Sequence, residues 1–106
     1  MAKAIKPNDC PVYKAIGKID GKWKVLILYQ LKDGTKRFNA LHKLIVGVSQ
    51  RILTLQLREL EQEGLINRRI YAEVPPRVEY SLTELGDTII PLLDNFAEWA
   101  LDIEQE

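Results

Sequence analysis

The chain has 106 residues, the size of one domain, and its 15 Lys and Arg residues balance its 15 Asp and Glu residues. Hydrophobic residues make up 46% and charged residues 28% of the chain, which excludes a disordered or low-complexity protein. Apolar runs are short and the N-terminus lacks a signal-peptide core, so we expect a cytoplasmic protein without membrane contact. One Cys and one His exclude an intrachain disulfide and a metal site of Cys and His ligands, and no cofactor is expected.

Two helices and a short strand are predicted in the first part of the chain. Residues 1–9 are expected to be flexible. Cys10-Pro11 begins a helix that ends near residue 19, because proline suits the first turn of a helix. Lys22–Leu31 is apolar nearly all round, which predicts a buried central helix. Residues 35–38 are consistent with a short strand.

Residues 38–63 predict two helices joined by a tight turn. Asn39 is a good N-cap for the first helix, which is short, and residues 46–48 form the turn. Ser49 caps the second, longer helix, and Gly64 stands where that helix ends. A short glycine-containing turn between two helices is typical of a helix-turn-helix.

A β-hairpin, the wing of the fold, is predicted for residues 65–82. Its strands are residues 65–72 and residues 77–82. Pro75-Pro76 marks the tip, because proline cannot join a sheet ladder. The predicted fold is therefore α+β and mainly helical: one winged helix-turn-helix domain over residues 1–106, with flanking N- and C-terminal helices.

The last predicted helix covers residues 83–103, with Thr83 as its cap and a kink at Pro91. Its apolar arc covers about half of the circumference, more than a helix packed on one core needs. The simplest use for the excess is a homodimer formed with help from the first helix; the alternative is deeper burial in its own domain. The predicted dimerisation residues are Ile89, Leu92, Leu93, Phe96, Trp99 and Ala100.

The zero net charge hides an asymmetric distribution. Residues 83–106 contain seven acidic residues and no Lys or Arg, so residues 1–82 hold fifteen basic residues against eight acidic ones, a net of +7. A basic body joined to an acidic helix leaves nucleic-acid binding open. The alternative is a solvated surface whose asymmetry has no binding role.

The second helix of the pair carries side chains that suit DNA bases. Gln50, Arg51 and Thr54 lie near its N-terminus on the polar face, with Arg58 one turn further on. Arg suits guanine, Gln suits adenine and the Thr methyl suits the thymine methyl. An ordinary solvated helix face is the alternative. The residues in the apolar arc of the same helical wheel are Ile52, Leu53, Leu55, Leu57 and Leu60.

Basic residues flank this helix pair. Arg77 on the wing, with Arg68 and Arg69, suits phosphates or the minor groove, unless these charges only protect the hairpin edge from pairing. Lys36, Arg37 and Lys43 are candidate phosphate contacts, with solvated surface residues as the alternative. The predicted set for binding double-stranded DNA is Ser49, Gln50, Arg51, Thr54, Arg58, Arg77, Lys36 and Arg37.

Motifs in a fixed order run through nearly the whole chain. They are Cys10-Pro11, GKWKVLIL (21–28), RFNAL (37–41), SQRILT (49–54), LRELE (57–61) and VPPRVEYSLTELG (74–86). Together they resemble the HxlR-type winged helix-turn-helix regulators, which are bacterial and related in fold to the MarR group. The resemblance implies a dimeric transcription regulator that binds an inverted-repeat operator, in a family that contains repressors and activators.

The resemblance also draws attention to Cys10, because some members of the family sense oxidants or electrophiles through a Cys at this place. A helix N-terminus stabilises a thiolate, as do nearby cations such as Lys6 and Lys14. The simple oxidised products are a Cys10–Cys10 bridge across a dimer and a mixed disulfide with a small thiol. An oxidant or small-molecule effector fits this role; a buried, inert thiol is the alternative.

Two other classes of function are alternatives to DNA binding. An enzyme is not expected, because His42 is the only His and has no evident Ser or Cys partner. A winged-helix protein-interaction module is the stronger alternative, but such a module would not need Gln50, Arg51, Thr54 and Arg58 together on one exposed face. Duplex retention at low salt that is lost steeply as salt rises would favour DNA binding.

Overall fold

The computed structural model describes residues 4–104, and its α+β architecture confirms the predicted fold class. Within that range, five α-helices and a small antiparallel sheet form a winged helix-turn-helix. Pro7–Asp9 forms a short 3-10 helix, whereas residues 1–3 of the segment expected to be flexible lie outside the described residues. The elements are α1 (Pro11–Lys18), α2 (Lys22–Leu31), β1 (Lys36–Arg37), α3 (Phe38–Leu44), α4 (Gln50–Gln62), β2 (Ile66–Tyr71), β3 (Arg77–Leu82) and α5 (Glu84–Glu104).

Two predicted boundaries before α3 are wrong. β1 contains only Lys36 and Arg37, and Phe38 begins α3 instead of ending the strand. The N-cap of α3 is Arg37, with φ −79° and ψ 159°, and not Asn39. The reason is tertiary: Lys36 and Arg37 pair with β3, so the extended backbone ends there and Phe38 packs against the core. This pairing overrides the capping preference of asparagine.

Both ends of α4 follow the sequence prediction. The Ser49 side-chain oxygen accepts a hydrogen bond from the Ile52 N–H at 3.1 Å, which satisfies a free donor of the first turn. Gly64 ends the helix at φ +76°, a left-handed conformation that side chains disfavour. The Gly64 N–H bonds the Glu61 carbonyl and the Leu65 N–H bonds the Leu60 carbonyl, the pair of bonds of a Schellman motif. The direction of α4 is thereby fixed at both ends.

The sheet has the order β1-β3-β2, with antiparallel pairing throughout. β2 and β3 form the predicted hairpin, in register from Ile66 opposite Leu82 to Tyr71 opposite Arg77. Pro75 and Pro76 lie in the loop between them, as predicted, and β2 is one residue shorter at each end than predicted. β1 adds the third strand, which ties the start of α3 to the wing.

The core lies between α2, α4, the base of the wing and α5. α2 contributes Ile27, Leu28 and Leu31, each at most 2% exposed, which confirms the predicted central helix. From α4, the buried side chains are Leu53, Leu57 and Leu60. Leu55 is different: it is 50% exposed, because it lies about 160° around the helix from Leu53 and Leu57. The apolar arc in which the helical wheel placed Leu55 is therefore too wide.

The start of α5 is bonded to the end of α4. The Thr83 N–H donates to the Leu65 carbonyl at 3.1 Å, and the Thr83 hydroxyl donates to the Gly64 carbonyl at 2.6 Å. The same hydroxyl oxygen accepts from the Gly86 N–H at 3.0 Å, so Thr83 caps α5 as predicted. Pro91 lies inside α5, which continues through it to Glu104. Among residues 4–104, no helix is both long and apolar enough to cross a bilayer.

Candidate DNA interface

The turn between α3 and α4 determines which face of α4 is exposed. Ile45 and Val48 are buried on either side of Gly47, which has φ +96°. A left-handed glycine lets the chain reverse within a few residues while both apolar neighbours stay in the core. Since Leu53 and Leu57 then anchor α4 inward, the opposite face of α4 is left to solvent.

The acidic residues of α4 and its C-cap are neutralised within the domain. Glu61 pairs with Arg68 of β2 at 3.2 Å and Glu59 lies 3.7 Å from Lys24 of α2. Glu63 accepts a 2.9 Å hydrogen bond from Lys18 of α1, and this bond lowers the pKa of the Glu63 carboxyl. These pairs leave the outward face of α4 without a free carboxylate to compete for its cations.

Two arginines on that face keep their charge available. Arg51 and Arg58 are exposed, and neither takes part in an ion pair within residues 4–104. A guanidinium in this state presents donors that match guanine edges or phosphate oxygens in pairs. The structure thus brings both predicted arginines to one exposed surface.

A shallow groove of about 540 Å³ runs along this surface. Four of the predicted DNA-binding residues line it together, and Ser49 caps the helix at its end. The Thr54 hydroxyl donates to the Gln50 carbonyl at 2.8 Å, so its proton is used within the helix. The Ser49 oxygen accepts from the backbone, which leaves its hydroxyl proton free to bond a phosphate. The lining residues are Phe38, Gln50, Arg51, Thr54, Leu55 and Arg58.

Sequence reasoning missed Leu55 and Phe38 as parts of this groove. The sequence does carry a signal for Leu55. It follows Arg51 by four residues and precedes Arg58 by three, so the three side chains lie along one line of a helix. Phe38 carried no such signal, because it reaches the groove from α3.

Arg77 is held inside the wing. Its guanidinium lies 3.3 Å from a Glu73 carboxylate oxygen and 3.9 Å from the centre of the Tyr71 ring, and its side chain is 27% exposed. Its Nε is buried and has no hydrogen-bond partner among residues 4–104, with a Glu79 oxygen 3.6 Å away. Sequence reasoning identified Arg77 but not these partners. In this conformation the guanidinium of Arg77 contacts other residues of the wing. Arg69 is exposed and also approaches Tyr71, 5.2 Å from the ring centre.

The remaining predicted phosphate contacts differ in exposure. Arg37 and Lys43 are exposed and Lys36 is half-buried, and none of the three forms an ion pair in the described part of the chain. Arg37 also lines a second groove of about 380 Å³ against the wing loop. These basic residues therefore extend the positive surface from α4 towards the wing.

Cys10 is the N-cap residue of α1, as predicted. Its thiol is half-buried and makes no capping hydrogen bond. Its backbone is fixed on both sides, since its N–H bonds the Pro7 carbonyl at 3.1 Å and its carbonyl accepts from the Lys14 N–H at 3.0 Å. The thiol is thus held at the first turn of α1.

An apolar groove of about 600 Å³ lies between α1 and α5. On α5, Leu92, Phe96 and Trp99 are each more than half exposed, although they are large and apolar. Leu93, also predicted as a dimerisation residue, lines the groove but is only 5% exposed and belongs to the core of its own chain, and Ile89 packs partly against that core. The residues that line the groove are Val12, Ala15, Ile16, Ile19, Ile89, Leu92, Leu93, Asn95, Phe96 and Trp99.

Comparisons with known proteins agree with this architecture. Residues 18–106 match the family described as HxlR-like helix-turn-helix. The HTH-type transcriptional regulator YdeP of Bacillus subtilis (strain 168) is 53% identical over 92 residues, which cover 87% of this chain and 72% of YdeP. An HTH-type transcriptional regulator of Methanothermobacter thermautotrophicus is 56% identical over 90 residues, 85% of this chain and 69% of that protein.

A solved structure of similar fold is the redox regulator HypR in its reduced form, with a TM-score of 0.85 and 46% identity over 88% of this chain and 92% of that one. The oxidised form of HypR has a TM-score of 0.82 and 47% identity over 88% and 96% of the two chains. The relatives are regulators and not enzymes, as predicted. With its family motifs, its winged fold and these likenesses, the chain belongs to the HxlR family of helix-turn-helix transcriptional regulators.

Proposed function

We propose that the protein is a cytoplasmic, sequence-specific DNA-binding regulator that acts as a homodimer on an inverted-repeat operator. The observation that carries the proposal is the outward face of α4, where Arg51 and Arg58 are unpaired within residues 4–104 while the helix's acidic residues are neutralised. Gln50 and Arg51 then read base edges, and Arg37, Lys36, Lys43 and the Ser49 hydroxyl hold phosphates.

Homodimer formation is supported by the apolar groove between α1 and α5. Soluble monomers rarely expose large contiguous apolar patches, and Leu92, Phe96 and Trp99 line one groove together with the exposed Val12 and Ile16. A second copy can cover this face by two-fold symmetry, and to bind DNA the dimer must hold its two α4 helices in successive major grooves, roughly 34 Å apart. An inverted repeat is the operator that matches such a dimer.

DNA binding is tested by retention on duplex DNA, followed by selection of bound sequences from a random duplex pool. Arg51→Ala is expected to cost about 1–3 kcal/mol of binding free energy and to relax the preference at one position. Lys14→Ala on α1 removes the same charge away from α4 and serves as the matched control. An Arg51→Ala variant that keeps both affinity and preference would show that α4 is not the recognition helix; retention without any selected sequence would leave only nonspecific binding.

A redox response through Cys10 is the second part of the proposal. It is supported by the capping position of Cys10 and by the likeness to HypR, which is known in reduced and oxidised forms. Diamide accepts two electrons and two protons from two Cys10 thiols, which leaves a disulfide between the two subunits. Operator affinity of the wild type and Cys10→Ser is measured before and after diamide, with non-reducing gels for the linked dimer. Equal responses of the two proteins would exclude Cys10 as the sensor.

A further inference from the structure

We propose that Leu55, supported by Phe38, reads a thymine in the operator by packing against its C5-methyl group in the major groove. The proposal rests on the proposed DNA binding. It assigns a specificity role to an apolar residue at the centre of a face that is otherwise polar and basic.

The position of Leu55 is the first argument. It lies on one helical line between Arg51 and Arg58, four residues after the first and three before the second. Its side chain is 50% exposed, while Leu53 and Leu57 on the opposite side of α4 are at most 1% exposed. Leu55 therefore contributes little to the core, and the exposed half of its side chain is available for an apolar contact with a partner outside the chain.

The surroundings of Leu55 indicate the nature of that partner. Leu55 and Phe38 are the apolar members of a groove whose other residues are Gln50, Arg51, Thr54 and Arg58. Two unpaired guanidinium groups on either side require acceptors, so a purely apolar partner is disfavoured. The major groove of DNA supplies both an apolar group and hydrogen-bond acceptors, because thymine presents its C5-methyl group beside the O4 acceptor and close to the phosphates.

Thr54 is a weaker candidate for the same contact. It is half-buried, and its hydroxyl is bonded to the Gln50 carbonyl at 2.8 Å. Leu55 is more exposed and has Phe38 beside it in the groove, where Phe38 is partly packed against the core. The geometry thus favours Leu55 as the reader and Phe38 as its support.

The test uses the sequence selected from the random pool. Each thymine of one half-site is replaced in turn by deoxyuridine, which removes only the C5-methyl group. Burial of one methyl group corresponds to about a fourfold change in affinity. We expect one of these single substitutions to weaken binding of the wild type about fourfold, and Leu55→Ala to lose that discrimination. Leu44→Ala is the matched control, because Leu44 is also 50% exposed but lies outside the groove.

The outcomes separate this inference from the proposed function. If the wild type selects no sequence, the proposed function fails. If it selects an operator but no deoxyuridine substitution weakens binding, Leu55 does not read thymine. If Leu55→Ala still discriminates thymine from deoxyuridine, another residue makes the contact. The deoxyuridine series on the wild type does not depend on the folding of any variant.

Discussion

Replacing Gly86 by alanine should loosen the junction between α4 and α5. A Cβ at residue 86 would overlap the Leu65 carbonyl oxygen and lie 3.2 Å from both the Leu65 carbonyl carbon and Leu82 Cδ2. Because Leu65 is held by hydrogen bonds on both sides of its peptide, the oxygen cannot turn away as a flexible side chain would. The first turn of α5 must therefore retreat, which strains the hydrogen bond from the Thr83 N–H to that oxygen.

The size of the effect follows from opposing contributions. Alanine gains about 1 kcal/mol over glycine inside a helix. Overpacking costs about 1–3 kcal/mol, and straining the hydrogen bond from the Thr83 N–H to the Leu65 oxygen costs about 1 kcal/mol. We expect a net loss of about 2 kcal/mol in the free energy of unfolding, or a Tm lower by about 8–16 °C.

Thermal and urea unfolding, followed by circular dichroism at one protein concentration, measure this loss. Gly17→Ala is the matched control: Gly17 lies within α1, and a Cβ there meets nothing within 4 Å. That variant should be as stable as the wild type or more stable, by up to about 1 kcal/mol. If Gly86→Ala melts within a few degrees of the wild type, the close approach of Gly86 to Leu65 does not govern the junction.

Further predictions concern the apolar face, the wing and the acid limb of stability. Phe96→Asp should give monomers or unfolded chains in light scattering, since it places a charge in the α1–α5 groove; a monomeric wild type at micromolar concentration would refute the dimer. Arg77→Ala should weaken DNA binding across all sequences, because the wing loses the contacts of the guanidinium with Glu73 and Tyr71. The salt slope should not fall, because Glu73 already neutralises that charge at 3.3 Å. A slope reduced by about one would instead show a phosphate contact. Lys18 lowers the pKa of Glu63, so their bond stabilises the fold above the unfolded pKa of that carboxyl and is lost as pH falls through the folded value. Glu63→Gln should therefore flatten the acid limb of the stability profile, and an unchanged limb would contradict this.

Sequence patterns predicted best what local chemistry decides. Ser49, Gly64 and Thr83 were placed correctly at helix ends, because a cap depends on residues within one turn. Pro75 and Pro76 likewise lie in the hairpin loop. Such signals need no knowledge of the rest of the chain, and they were enough to order the elements of the fold.

Tertiary contacts decided the rest. Arg37 precedes α3 because β1 joins β3, and the Arg77 guanidinium is occupied by Glu73, which the sequence gives no reason to single out. Leu55 was misplaced because a broad apolar arc on a wheel does not reveal where the core stops. Leu93 is buried within its own chain, because a helix with apolar residues on much of its surface packs some of them against its own core.

The hydrogen bonds of Thr83 couple the direction of α4 to that of α5. They fasten the far end of α4, at Gly64 and Leu65, to the first turn of α5. The 13 residues of α4 span roughly 20 Å, so a rotation of the whole domain by about 10° about this junction displaces Gln50 by about 3.4 Å. That displacement equals the rise of roughly one base pair along a DNA strand. In the proposed homodimer, a change of about 10° in the angle at which the two subunits meet would therefore move each α4 by about one base pair, so the dimer angle would set the spacing of the operator half-sites.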